Sequence, residues 1–231
     1  MNTLLRDYFV ETPVADAQPR VTPVHVQVQR PAVSPAASLH DDQIHGLVQR
    51  LFFRRGSALV RHVGFCPVES SAATAALCLD AARILTEAGS CDVGLIDAHL
   101  DSDLLQTQLQ IPSPSHAQTT WPIGPRLWMV PRQSWLPEAC GPRIAGQNLS
   151  RLRELTAEFD FSILWCAPVS WLTASIGHAC DGLVLVLTAN KTRRFVAAQI
   201  KDQLTQAQVP LLGTILAERR FPVPQGLYRN L

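Results

Sequence analysis

The sequence predicts an α/β fold: a mostly parallel sheet flanked by helices. Short apolar runs alternate with stretches whose apolar residues recur every three or four positions, the pattern of strands joined by helical crossovers. One run, Leu183–Thr188, is apolar at almost every position, as a strand covered on both faces must be. The 231 residues suffice for one such domain with a substantial core, preceded by an arm.

Residues 1–37 hold five prolines, little periodicity and many small or polar side chains, and are read as a disordered proline-rich arm. Val24, Val26 and Val28 alternate with His25 and Gln27, so a short strand formed on docking is the alternative to a flexible tail. The domain is read as residues 38–231. Ser38 and Asp41 have the spacing of a capping box, with Asp in place of Glu. Ile44, Leu47, Val48, Leu51 and Phe52 then form one apolar helical stripe, expected to serve as an interface with Arg50, Arg54 and Arg55 beside it.

A strand is expected near Leu59–Cys66, a helix from about Ser70 to Ala88 stopped by Gly89, and a second strand at Val93–Asp97. Residues 111–145 break the rhythm: seven prolines fall between Pro112 and Pro142, and Leu127–Val130 is the one strand-like run there. Trp121, Trp128 and Trp135 are expected to pack separately within this segment. Alternation resumes with a helix at Asn148–Glu158, a strand at Phe161–Cys166 and a short helix at Trp171–His178. After the Leu183–Thr188 strand come a helix at Arg193–Gln206, through Phe195, Val196, Ile200 and Leu204, and a last strand at Leu211–Leu216.

The net charge of +1 offers no case for nucleic acid or for an anionic membrane surface. The six cysteines are scattered without a C-x-x-C pair, and several lie in apolar strand-like runs, which points to buried thiols in a reducing compartment. No run is long and apolar enough to span a bilayer and no secretory h-region is evident, so a soluble cytoplasmic protein without direct membrane insertion is expected. The histidines show no ligand spacing, and no metal site is expected. Cys166 and His178 invite comparison with a Cys/His nucleophile, but no third orienting residue accompanies them.

The segment from Val63 to Ala88 reads as strand, tight loop and helix, the scaffold that grips nucleotide phosphates. A working phosphate loop, G-x-x-x-x-G-K-[ST], needs glycines so that backbone N–H groups can approach the phosphates, and a lysine that reaches them. Here the loop reads Gly64-Phe65-Cys66-Pro67-Val68-Glu69-Ser70-Ser71. Glu69 takes the second glycine position, Ser70 the lysine position and Ser71 the metal-binding hydroxyl position. The first 190 residues contain no lysine at all; Lys191 and Lys201 are the only two in the chain. Lys191, between a strand and a helix, reads as a solvated loop residue.

Several segments in order resemble the cytoplasmic domain of bacterial tyrosine kinases and related ATPases of capsule and exopolysaccharide synthesis, a group within the MinD/ParA-like P-loop class. Leu95-Ile96-Asp97-Ala98-His99-Leu100 is similar to that family's "LLIDADLR". Phe159-Asp160-Phe161-Ser162-Ile163-Leu164-Trp165-Cys166-Ala167-Pro168-Val169 is similar to its "YDYVIIDTPPV". Asp181–Val186 and Ala189-Asn190-Lys191-Thr192-Arg193-Arg194 are similar to "ADGVLLVVRANKTRR". The ending Arg219-Arg220-Phe221-Pro222-Val223-Pro224, with Leu227-Tyr228-Arg229, resembles "RRYPIPxxLYRR". The resemblance covers about residues 41–231 and implies a P-loop NTPase fold of the MinD/ParA-like kind.

The departures fall on the residues that carry the family's chemistry. Glu69 and Ser70 displace glycine and lysine, His99 replaces the carboxylate two residues after Asp97, and Trp165 replaces the acidic residue of the third motif. Phosphoryl transfer depends on positive charge and metal around the γ-phosphate. The resemblance therefore implies a degenerate site with no catalytic residue. Ser70, Ser71 and Asp97 remain as a vestigial nucleotide site, and Asp97 reads as a helix-capping or loop hydrogen-bonding group rather than a metal ligand. With tyrosine only at Tyr8 and Tyr228, no autophosphorylated tyrosine tail is expected.

These readings imply a non-catalytic scaffold or regulatory protein of bacterial exopolysaccharide or capsule biosynthesis, without ATP, Mg²⁺ or another cofactor. The implied partners are a membrane-anchored polysaccharide chain-length regulator, which would recruit it to the inner membrane, a homologous ATPase, or a second copy of the chain. One alternative is an ATPase or tyrosine-kinase-like protein with an unusual phosphate loop. A third is a MinD/ParA-like positioning factor.

Overall fold

The computed structural model describes residues 35–53, 59–69, 72–99, 102, 104–111, 119–136, 146–169 and 171–218. The proline-rich arm through residue 34, Arg54, Arg55, Ser70, Ser71 and the ending from Arg219 lie outside these described residues.

Seven strands form one sheet: β1 (His62–Pro67), β2 (Val93–Ala98), β3 (Trp121–Gly124), β4 (Leu127–Val130), β5 (Phe161–Cys166), β6 (Gly182–Thr188) and β7 (Leu211–Ala217). Their order is β3-β4-β2-β5-β1-β6-β7. All neighbours are parallel except β3 and β4, which form an antiparallel pair with an irregularity between Pro122 and Gly124. The helices are α1 (Pro35–Phe52), α2 (Ala72–Ala88), α3 (Leu104–Gln108), α4 (Gly146–Ala157), α5 (Trp171–Gly177) and α6 (Arg194–Gln206).

Strands β2 and β5 are buried at every position, which is why their sequences run apolar without alternation. The sheet separates two cores. One holds Ile44, Val48 and Phe52 of α1, Ala75, Cys78 and Leu85 of α2 and Leu105 of α3, against Phe65, Leu95, Ile163 and Val184. The other holds Leu152 and Leu155 of α4, Leu172 and Ile176 of α5 and Ile200 and Leu204 of α6, against Ile96, Leu164 and Leu185. Close packing disfavours a side chain at Gly94 and Gly64, where neighbouring side chains would have to shift. A Cβ at Gly94 would stand 2.4 Å from the Phe159 ring, and one at Gly64 would stand 2.5 Å from Leu183.

The N-terminal ends of the strands are closed by carboxylates. Asp181 Oδ2 accepts from the N–H groups of Arg61 (2.7 Å) and His62 (2.9 Å), while its own N–H donates to the His62 carbonyl. Asp160 Oδ2 accepts from Asp92 N at 2.9 Å, and Asp160 N returns a bond to the Asp92 carbonyl. His62 Nδ1 and Ser162 Oγ lie 2.9 Å apart across β1 and β5. These contacts fix which strands begin side by side.

Four expectations need correction. Helix α1 reaches back to Pro35, so Ser38 is not its cap; a proline in the first turn gives up an N–H that has no helical acceptor there. The α1 stripe is core rather than interface: Ile44, Val48 and Phe52 are buried, Leu47 and Leu51 pack against the same cluster, and Phe52 meets Phe161 edge-on. The segment after Ile111 contains a second strand, β3, whose Pro122 is tolerated because the strand lies at the sheet's edge. Helix α3, five residues long, is too short to leave a periodic pattern. The three tryptophans do separate as expected: Trp121 joins the first core, and Trp135 and Trp128 the second.

Candidate functional site

In open α/β sheets, ligands bind beyond the carboxyl ends of the strands, where crossovers diverge. Here that end is formed by the loops after β1, β2, β5 and β6. Residue Gly64 lies within β1, hydrogen-bonded between β5 and β6, so the loop frame that began at Gly64 is corrected. The strand continues to Pro67, and the loop proper starts only at Val68. Val68 N donates to Val186 O (3.0 Å), and Val169 N donates to Pro67 O (3.1 Å), tying the loop to its neighbours on both sides.

Glu69 is partly buried, and its Oε2 accepts from the Thr192 hydroxyl at 2.6 Å. Thr192 Oγ1 in turn accepts from Thr188 N at 2.9 Å, at the end of β6. The carboxylate at the second glycine position is therefore bound across the site to the β6–α6 turn. Ser70 and Ser71, the other loop candidates, lie outside the described residues.

Asp97 is fully buried near the end of β2, beside Trp165 in the β2–β5 register. Its Oδ1 accepts from His99 N at 3.0 Å, the loop-bonding role anticipated for it. The Asp97 carbonyl accepts from the Trp135 indole Nε1 at 2.9 Å. Arg132 Nη1 donates to the His99 carbonyl at 3.4 Å. The β2 end is thus held by the turn that follows β4.

The two substituted motif positions meet. The rings of His99 and Trp165 stack with centroids 4.4 Å apart and planes 29° from parallel. Both side chains are buried, His99 at 5% exposure and Trp165 at 2%. Offset stacking of this kind adds about 0.5–1.5 kcal/mol beyond area burial. Trp165 Nε1 is buried without a hydrogen-bond partner among the described residues, so packing rather than polar pairing places the ring. Sequence reasoning identified each substitution but not their contact. The signal was present: the residues follow or lie in strands expected to run parallel through the same sheet.

The remaining candidates separate. Cys166 is buried at the end of β5 and its thiol is raised well above the usual range by burial, whereas His178 is exposed after α5. Cys66, which donates to the Ala167 carbonyl, is likewise pushed up to about 12 by burial. Neither thiol has the environment of a nucleophile. Lys191 is exposed, as read from its position.

A magnesium nucleotide would require cations toward its phosphates and carboxylates toward its metal. Apart from the Asp97 carboxylate, the described residues do not fit it. A carboxylate bonded to Thr192 lies at the phosphate loop, and an imidazole–indole stack fills the region where two acidic groups would act.

No protein-family model matches the sequence, and no curated protein matches it. Solved structures do. The kinase domain of the Escherichia coli tyrosine kinase Etk superposes with a TM-score of 0.65 at 13% identity, covering 87% of this chain and 88% of that one. The chimerical protein CapA2B2 gives 0.62 at 15%, covering 79% and 84%. A ParA family ATPase from Chlorobium tepidum gives 0.51 at 16%, covering 68% and 73%. The chain has the fold shared by bacterial tyrosine-kinase domains and ParA-like ATPases.

Proposed function

We propose that this chain is a non-catalytic scaffold or regulatory protein of bacterial exopolysaccharide or capsule biosynthesis, derived from a P-loop ATPase and acting through protein contacts. The observation that carries the reading is the buried His99–Trp165 stack, which joins the substitutions of two motifs into one packed unit. The Glu69–Thr192 hydrogen bond supports it from the phosphate-loop side. Both features engage these residues with other groups of the chain rather than with phosphate. The polysaccharide setting rests on the motif resemblance and on the fold shared with tyrosine-kinase domains. The partners proposed are a membrane-anchored chain-length regulator or a homologous ATPase.

The test is genetic. Deleting the gene should reduce polymer export, and a chain carrying Asp97→Asn should restore it fully, because the amide oxygen still accepts from His99 N. Loss of polymer with Asp97→Asn, in a protein that remains folded, would favour the ATPase or kinase reading. Unchanged polymer after deletion would remove the polysaccharide assignment.

A further inference from the structure

The two edges of the sheet differ. Strand β3 is four residues long, carries Pro122 and pairs irregularly with β4, features that discourage a further strand. Strand β7 runs for seven residues, Leu211–Ala217, with no proline and no charged side chain. Its one irregularity lies at its start, and its pairing with β6 is regular from Gly213 to Ala217. Ala217 O accepts from Ala189 N at 2.9 Å, so the backbone of Ala217 faces β6. Alternation turns Ile215 and Gly213 toward β6 as well, and Thr214 and Leu216 away from it. The N–H and C=O groups of Thr214 and Leu216 therefore point off the sheet, where no described strand lies. These are also the two exposed positions of β7, Leu216 at 53%. Ile215 and Ala217 pack on the first core, so Thr214 and Leu216 project from the opposite face, on the side of α6.

We propose that two copies of this chain pair antiparallel through β7, about a twofold axis normal to the sheet. A register centred on Ile215 sets Thr214 opposite Leu216 of the second copy, and Leu216 opposite its Thr214. Every outward N–H and C=O of these residues then bonds to the other copy, as in a hydrogen-bonded antiparallel pair. Three features favour a second copy over another polypeptide. An uncharged strand meets its own image with no like charges opposed, and carries no charge that would select a different partner. The same axis also sets α6 antiparallel to its image on one face of the joined sheet. Arg193 and Arg194 are exposed at the start of α6, the end of a helix that disfavours cations. In the pair they lie toward the C-terminal end of the other α6, whose last turn holds no basic residue and whose carbonyls favour one. Lastly, the pairing consumes both β7 edges and leaves only β3 at the ends, so assembly closes at a dimer. One strand pair and a helix end bury less than the roughly 1,200 Å² of stable complexes, so the dimer is expected to be weak. The proposal is independent of how the nucleotide end of the sheet is read.

Sedimentation equilibrium of the full chain over a concentration series tests it, together with amide hydrogen exchange read residue by residue. A reversible monomer–dimer equilibrium is expected. The amides of Thr214 and Leu216 should exchange fast in dilute protein and slow as the dimer forms, while those of Ile215 and Ala217 stay protected throughout. Thr214→Lys with Leu216→Lys opposes like charges at both cross-strand pairs and should raise the dimer Kd about tenfold or more. Thr214→Glu with Leu216→Lys sets opposite charges across the same register and should keep Kd within about threefold of the parent. Both side chains are exposed, so each variant should unfold thermally with the parent. If a variant fails to fold, the exchange pattern of the parent decides alone. A chain that stays monomeric at millimolar concentration overturns the proposal, as does open-ended assembly. A dimer that both variants abolish, that neither weakens, or that leaves exchange at Thr214 and Leu216 unchanged also overturns it. So does protection of these two amides in the dilute monomer, which would show the edge to be held by another part of the chain.

Discussion

At the N-terminal ends of the strands, Asp160 and Asp181 lie where the resembling motifs place aspartates, and both bind backbone N–H groups of a neighbouring strand. At the C-terminal ends, the positions that would face phosphate and metal carry Glu69, His99 and Trp165, and these bind or stack on one another's surroundings instead. The same motifs therefore split into a half that closes the sheet and a half that would do chemistry. The first keeps its residue types, whereas the second keeps Asp97 and Ser71 and loses the rest. A motif resemblance spread over a chain thus warrants the fold through one set of residues and says nothing of activity unless the other set is present.

The sharpest challenge to this contrast is Trp165→Asp, which supplies the missing carboxylate. Loss of stability is expected rather than gain of function. Removing a buried aromatic costs about 3–5 kcal/mol, and the new charge must also be desolvated. Urea unfolding measures this, and a stable variant that acquired Mg²⁺-dependent nucleotide binding would reverse the reading of the site. At the opposite end, Asp181→Ala removes the acceptor of two backbone N–H groups. Because the side chain is exposed and water can replace it in part, the expected loss is about 1–2 kcal/mol.

A smaller effect is expected from Thr192→Val, which deletes both the bond to Glu69 and the acceptor of Thr188 N. A loss of about 1 kcal/mol is anticipated, with faster hydrogen exchange at the Thr188 amide. Unchanged exchange there would mean that the loop is held by other contacts. The smallest effect is a pH dependence at His62. Burial lowers its pKa below 6.5, against the opposing pull of Asp181. The unfolded chain therefore takes up the proton first as pH falls. Stability from the neutral ring is full above about 6.5 and is lost as pH drops toward the folded value. His62→Gln should flatten that part of a stability–pH curve.

Much of this architecture was legible in the sequence. The strand at Phe161–Cys166 matches its expected bounds, and the other parallel strands agree within a few residues, because two-sided burial imposes continuous apolar runs. Strand β3 was not legible because Pro122 and Gly124 argue against a strand, and only its edge position permits them. The α1 stripe was recognised but misassigned, since periodicity gives the apolar face and not the surface that covers it. At the candidate site, the sequence located the substituted residues one motif at a time. The His99–Trp165 and Glu69–Thr192 contacts span residues distant in the chain, and local patterns carry no record of such pairs.

Whether the C-terminal end of the sheet still accommodates a magnesium nucleotide is decided by calorimetric titration of the full chain with ATP and Mg²⁺. No saturable heat is expected at millimolar nucleotide, for the parent and equally for Ser70→Lys, in which Glu69, His99 and Trp165 remain. Micromolar, Mg²⁺-dependent binding by the parent chain, weakened by Asp97→Asn, would show the site to be open and the reading of a closed one to be wrong.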